Sequence, residues 1–245
     1  MAQDRLNMWE TLFRRALTLI DSVGAAGVKL ENWSFGGGTV LMRRHRHRVS
    51  KDIDIFVLDP QYLGYLSPRL NTKAESLTES YIEQAGSLKL IFPEGEIDFV
   101  ASAPLTENPT VVEKLFGREV QIETSAEIVA KKVRHRGVEF TARDIFDLAM
   151  VTEKEPEALR KIQPVLRDRR DVVLQRMVSH DKALRESFAA LEILDYQRSI
   201  RRMRSAGQKG FGVAVFKKRP SRANSKLWNS APAYLTSRPS LPVQE

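Results

Sequence analysis

Between residues 6 and 23 the apolar side chains Leu6, Trp9, Leu12, Phe13, Ala16, Leu17 and Ile20 recur at helical spacing, which predicts an amphipathic packing helix. The pattern then changes. Trp33-Ser34-Phe35 runs into Gly36-Gly37-Gly38, and Thr39-Val40-Leu41-Met42-Arg43-Arg44 follows with a helix-like order, predicting strand, glycine turn and helix in succession. Ile53, Ile55, Phe56, Val57 and Leu58 then form an apolar run broken only by acids at 52 and 54, the pattern of a buried strand with a deliberate exception. Asp59-Pro60 ends it, and a polar or mixed connection is expected through about 76. Residues 81–84, 88–92 and 97–101 read as strands, the last two forming a hairpin about Pro93-Glu94-Gly95, and 118–123 adds a short strand. From 125 onward the period is helical, through 142–152, 157–166, 170–179 and 181–203. The chain carries no internal repeat. The expected fold is α+β, a small mixed sheet with flanking helices followed by a helical half. The expected boundaries are 1–123 for the core, 124–204 for the helical module and 205–245 for a tail.

Chemistry enters at the acids. Residues i and i+2 of a strand share a face, so Asp52 and Asp54 project side by side while Ile53, Ile55 and Val57 fill the other face. Adjacent carboxylates repel, and one shifts toward protonation unless a cation sits between them. A hard, oxygen-seeking ion meets that need, Mg²⁺ or Mn²⁺. The glycine turn supplies backbone N–H groups and the positive end of a helix dipole for phosphate. Asp98, flanked by Ile97 and Phe99, is a third ligand candidate, and Glu96 on the same strand face is its competitor. Ser50 either meets phosphate or caps the local turn. Lys131 and Lys132 lie on a helix opened by Thr124-Ser125-Ala126-Glu127, with Thr or Ser as N-cap. Asp144 and Asp147, three apart, share a helix face. Asp144 either pairs with Lys132, accepts a substrate proton or caps its helix. The run from Arg43 to Arg48, holding His45 and His47, reads as a phosphate-facing basic patch rather than a zinc site.

The blocks Gly37-Gly38-Thr39-x-Leu41 and Arg48-x-Ser50-x-Asp52-Ile53-Asp54 resemble the nucleotidyltransferase toxins of the AbiEii/AbiGii type, relatives of the MenT toxins in the DNA polymerase β-like superfamily. The resemblance continues at Glu96-Ile97-Asp98-Phe99-Val100, at Ala130-Lys131-Lys132-Val133 and at Arg143-Asp144-Ile145-Phe146-Asp147-Leu148, which looks like the family's RDxxD signature. It covers about 33–151 and leaves out everything after 205. It implies a polymerase β-like core and nucleotidyl transfer from a nucleoside triphosphate (NTP) to RNA, with tRNA 3′ ends the favoured acceptor. It also implies a cognate antitoxin protein. Carried onto this chain, it assigns catalysis to Asp52, Asp54, Asp98, Lys132 and Asp144, with the three earlier aspartates holding metal. Gly37, Gly38, Thr39, Arg48, Ser50, Lys131, Arg143 and Asp147 are assigned to substrate binding.

Composition adds limits. The 245 residues, 42% of them hydrophobic, can bury a sizeable core, and without cysteine there are neither disulfides nor thiolate metal sites. The first residues lack the order of a signal peptide and no apolar run is long enough to span a bilayer, so a cytoplasmic protein is expected. Of the formal net charge of +8, the segment 205–245 carries +6, from seven Lys or Arg against Glu245. That tail mixes basic residues with Phe216, Trp228 and Tyr234, which suits contact with phosphates and unstacked bases, a solvated tail, or docking on protein. Two other function classes stay open. A nucleic-acid-binding module without catalysis leaves the paired aspartates unexplained. The same site could instead modify a partner protein, because one fold hosts different acceptors.

Overall fold

The apolar stripe at the amino end folds as helix α1 (Ala2–Ala25), and the alternating segments assemble one sheet against it. The structure is a computed structural model and describes residues 2–179 and 181–196. In chain order β1 (Ser34–Gly36), α2 (Gly37–His45) and β2 (Ile53–Val57) are followed by the short helices α3 (Gln61–Leu66) and α4 (Thr72–Leu77). Strands β3 (Tyr81–Gln84), β4 (Ser87–Phe92), β5 (Gly95–Ala101), β6 (Thr110–Leu115) and β7 (Arg118–Glu123) come next. Among the described residues the helices α5 (Ser125–Arg136), α6 (Ala142–Lys154), α7 (Pro156–Lys161), α8 (Gln163–Ser179) and α9 (Asp181–Ala189) follow.

The seven strands lie in the order β3-β4-β5-β2-β1-β7-β6. The sheet is mixed: β2 runs parallel to β5 and β1 parallel to β7, and the remaining neighbours are antiparallel. Period-2 alternation decides its two faces. Ile53, Ile55, Val57, Ile97 and Phe99 are buried on one, with Leu12, Phe13 and Ala16 of α1 in the same core. The rings of Phe13 and Phe35 stand 4.6 Å apart there. The opposite face carries Asp54 and Phe56 from β2 and Asp98 and Val100 from β5, and it looks toward α5. One hydrophobic cluster runs through both the strand-rich residues before 124 and the helices after it.

Helix ends follow their capping residues. The Thr124 hydroxyl accepts the Glu127 N–H at the start of α5, and Thr141 and Asp144 form a reciprocal capping box at the start of α6. Several expectations need correction. The connection after Asp59 holds two short helices, the second capped by Asn71, whose side chain accepts the N–H groups of Lys73 and Ala74. Strand β6 was not anticipated. It pairs on one side only and leaves Val111 and Val112 half exposed, so no clean alternation marks it. The helices expected over 157–166 and 170–179 break instead at Ile162 and then run unbroken to Ser179. The last helix ends at Ala189 because the next residues pair with the loop after α2. Val49 N–H donates to Glu192 O at 2.8 Å, and Asp195 N–H donates to Arg46 O at 2.7 Å. The remainder of the helix expected to 203, and the basic tail, lie outside the described residues.

Candidate active site

The turn that opens α2 is shaped by what it must approach. Gly37 has φ +72°, in the left-handed region, and a Cβ there would stand 1.8 Å from Asp54 Oδ2. A Cβ on Gly38 would meet the Arg48 guanidinium at 2.6 Å and Ser50 Oγ at 2.8 Å. The helix has no side-chain cap, so no capping oxygen takes up its first N–H groups, and Gly37 and Gly38 line the cavity. Thr39 is fully buried, donates to Asp52 O at 2.6 Å and meets Ser50 Oγ at 3.1 Å. It ties the turn to the approach of β2 and does not itself line the cavity.

Asp54 and Asp98 are direct partners on neighbouring parallel strands, and both line a cavity of about 210 Å³ between the sheet and α5. Asp52 precedes β2 on the same rim, its Oδ1 accepting the Glu96 N–H at 3.2 Å. Burial pushes the Asp54 carboxyl above its usual range against the pull of Lys132 and Arg136, and Asp52 adds to the rise. Burial, then the charge of Asp54, pushes Asp98 up to about 6. These carboxylates are short of positive charge. Among the described residues no three acidic or histidine side chains close on a single point as a ready metal cage. The nearest cations are side chains. Lys89 of β4 pairs with Glu96 and sits 3.3 Å from Asp98, and Arg143 stands 3.8 Å from Asp52. An all-oxygen set that already draws in an ammonium fits a hard divalent cation.

A few ångströms away the charges are saturated. Asp147 accepts Arg48 Nε at 2.7 Å and Nη2 at 2.8 Å, His47 Nε2 lies at 2.7 Å, and Lys132 Nζ at 3.1 Å. Lys132 also donates to Asp144 at 2.7 Å, and Asp144 accepts the Thr141 N–H and hydroxyl. Asp144, Asp147 and His47 are wholly buried. For both acids burial favours the neutral form, yet the cations prevail: Lys132 and Arg136 hold Asp144 below its ordinary range, and Arg48 and Lys132 hold Asp147 well below it. Burial lowers His47, whose Nδ1 has no partner.

Of the residues expected at the site, Gly37, Gly38, Arg48, Ser50, Asp52, Asp54, Asp98, Lys131, Lys132 and Arg143 line the one cavity. Thr39, Asp144 and Asp147 lie behind it. The basic run from Arg43 to Arg48, which ends α2 and continues past it, is taken up by acidic partners, and of its side chains only Arg48 lines the cavity. Arg43 and Arg44 reach Glu113, His45 reaches Glu155, Arg46 reaches Asp195, and His47 and Arg48 reach Asp147. Its partners come from β6, from the helices after α5 and from the segment after α9, none of which the run itself announces.

Lys89, Phe56, Glu123, His135 and Arg136 also line the cavity and were not anticipated. Glu123 ends β7, buried, with Lys131 Nζ donating to its Oε1 at 2.6 Å while Oε2 has no partner. Burial pushes its carboxyl up to about 7 in spite of Lys131. The available signal was alternation: Phe56 follows Asp54 by two residues on one face, and Lys89 shares the hairpin with Asp98.

A glycine turn at an uncapped helix, beside in-register aspartates on a mixed sheet, suits metal-assisted chemistry on phosphates, and the sequence assigns the class, a nucleotidyltransferase. The chain belongs to the AbiEii family: residues 24–222 match the profile described as nucleotidyl transferase AbiEii toxin, type IV toxin–antitoxin system. It is thus a nucleotidyltransferase-family enzyme of a toxin group. Its fold is similar to that of MenT4, a nucleotidyltransferase toxin from Mycobacterium tuberculosis, with a TM-score of 0.52, 16% identity, and 87% of this chain and 85% of that one covered. A nucleotidyltransferase crystal structure from H. pylori aligns at TM-score 0.45 and 14% identity over 87% of this chain and 96% of that one. JHP933 from Helicobacter pylori aligns at 0.43 and 13% over 84% and 89%. Among curated proteins none matches the sequence significantly. No helix among the described residues is long and apolar enough to cross a membrane.

Proposed function

We propose that this enzyme transfers a nucleotidyl group from an NTP to an RNA 3′ hydroxyl, with tRNA as the acceptor the family resemblance favours. The observation that carries the reading is the pairing of Asp54 with Asp98 in register across from the Gly37-Gly38 turn. Asp52, Asp54 and Asp98 would hold Mg²⁺. Bound there, the cation neutralises charge on the triphosphate and lowers the pKa of the attacking hydroxyl.

The chain's own residues do the positioning. The N–H groups of the glycine turn and the Ser50 hydroxyl hold the departing phosphates, and Lys132 and Arg136 add positive charge beside them. The acceptor oxygen forms a bond to the α-phosphorus as the bond to the bridging oxygen breaks. Pyrophosphate leaves and the hydroxyl proton passes to water. Asp144 and Asp147 are positioning residues, holding Lys132 and Arg48 in place. Arg136 and Arg143 stand at the cavity as exposed cations, a setting that attracts an RNA backbone, while burial and neighbouring cations keep the His135 ring below its ordinary pKa.

The test is label transfer from each α-³²P NTP to total RNA with Mg²⁺, alongside Asp52→Ala/Asp54→Ala protein. A tRNA-sized labelled band, absent with the variant, is expected. Label on protein would reassign the acceptor, and label undiminished in the variant would overturn the metal assignment.

A further inference from the structure

The cavity does not end at Phe56. The face that carries Asp54 continues through Phe56 to Leu58, and the face that carries Asp98 continues through Val100 to Ser102. Beyond Phe56 a second cavity of about 360 Å³ opens, and Phe56, Glu123 and Lys131 line both. The Lys131 ammonium lies 3.7 Å from the Phe56 ring centre, and Glu123 anchors it. Trp33, Leu58 and Pro104 give the second cavity an apolar wall, and Ser34 and Gln121 add hydrogen-bonding groups. Its outer loop is pinned in advance. Glu127, wholly buried, accepts the N–H groups of Leu105 and Thr106 at 2.9 Å each, and the Thr106 hydroxyl at 2.7 Å.

We infer that this second cavity receives the base of the donor nucleotide, with Trp33 as its stacking wall. The inference rests on the nucleotidyltransferase reading above. In an in-line displacement the leaving phosphates and the acceptor lie on opposite sides of the α-phosphorus. With pyrophosphate held at Gly37-Gly38 beside β1, that axis crosses the strands, and the acceptor enters on the side of β5 and β4. The nucleoside must leave the axis, and the strand direction past Phe56 is open to it. From Asp54 to Leu58 is roughly 13 Å along a strand, within a nucleoside's reach beyond its reacting phosphate. A cleft with one large ring, apolar walls and a few hydrogen-bonding groups suits a flat heterocycle.

The test is calorimetric binding to the full chain with Mg²⁺ and without RNA, using each of the four NTPs and inorganic tripolyphosphate as the phosphate-only probe. Trp33→Ala is expected to weaken the best-bound nucleotide on the order of tenfold and to leave tripolyphosphate unchanged. Leu58→Trp, which fills the cavity from a half-exposed position, should do the same without touching Trp33. Nucleotide binding unchanged in both variants overturns the inference, as does an equal loss of nucleotide and tripolyphosphate. Unchanged nucleotide binding with weakened RNA binding gives the cavity to the acceptor instead. A wild-type protein that binds neither probe overturns the nucleotidyltransferase reading itself.

Discussion

Two groups of aspartates stand within one small region and behave in opposite ways. Asp144 and Asp147 are wholly buried, yet Arg48, Lys132 and Arg136 hold both below the ordinary carboxylate range. Asp54 and Asp98 reach the cavity, yet both are raised. Depth alone would predict the reverse. What differs is the balance: fixed cations outweigh burial at Asp144 and Asp147, whereas at Asp54 and Asp98 burial and a neighbouring like charge outweigh the pull of Lys132, Arg136 and Lys89. A saturated carboxylate builds structure. An unsaturated one is ready for a cation that arrives with substrate.

That contrast breaks first under substitution. Asp147→Ala leaves the Arg48 guanidinium buried without its partner and should cost about 3–5 kcal/mol of stability, read from the denaturant midpoint. Asp54→Asn removes a repelled charge and should leave that midpoint within about 1 kcal/mol of wild type or above it, while transfer falls by at least about a hundredfold. Equal destabilisation by both changes would erase the distinction.

Acidity sharpens it. The depressed Asp144 and Asp147 contribute stability that is complete above the unfolded carboxyl pKa of about 3.9 and is lost as pH falls through their lower folded values. Asp98 has the opposite sign. Its folded value of about 6 lies above the unfolded one, so its contribution to stability declines between about pH 4 and 6, and ionisation costs the native state above that. Mg²⁺ should therefore raise the melting temperature more at pH 7.5 than at pH 5, because the site must be ionised to bind it. An equal rise at both pH values would show that the cation binds elsewhere.

The smallest effect concerns Lys89, which pairs with Glu96 and Asp98 where a cation is wanted. Lys89→Met should lower the Mg²⁺ concentration for half-maximal activity by no more than about fivefold, since so exposed a pair is weak. A rise instead would make Lys89 a contributor to substrate binding rather than a competitor.

Much of the site was legible in the order of residues. Glycine at 37 and 38, acids at 52, 54 and 98, and apolar residues between them state a turn and two strands, because period-2 geometry leaves no other way to bury Ile53, Ile55 and Val57 together. Capping at Thr124 was equally local, and the capping role open to Asp144 is filled together with Thr141. Strand β6 escaped notice because an edge strand tolerates exposed Val111 and Val112. Glu123 escaped because one acid at the end of a short strand carries no signal until Lys131 folds onto it. The basic run from Arg43 to Arg48 misled over all but Arg48 for the same reason. Six charged or titratable side chains in six residues suggest a ligand surface, but each has a partner more than sixty positions away.

The amino-acid sequence by itself determined the inner strands and the glycine turn, because these follow from backbone periodicity over a few residues, while the edge strand β6 did not show in it. Which acids stay short of positive charge was decided only by the tertiary structure. Arg48 meets Asp147 across 99 positions, whereas Asp54 meets Asp98 across a strand pair and finds a second negative charge. Electrostatic balance is a sum over everything nearby in space, and local order along the chain does not contain that sum.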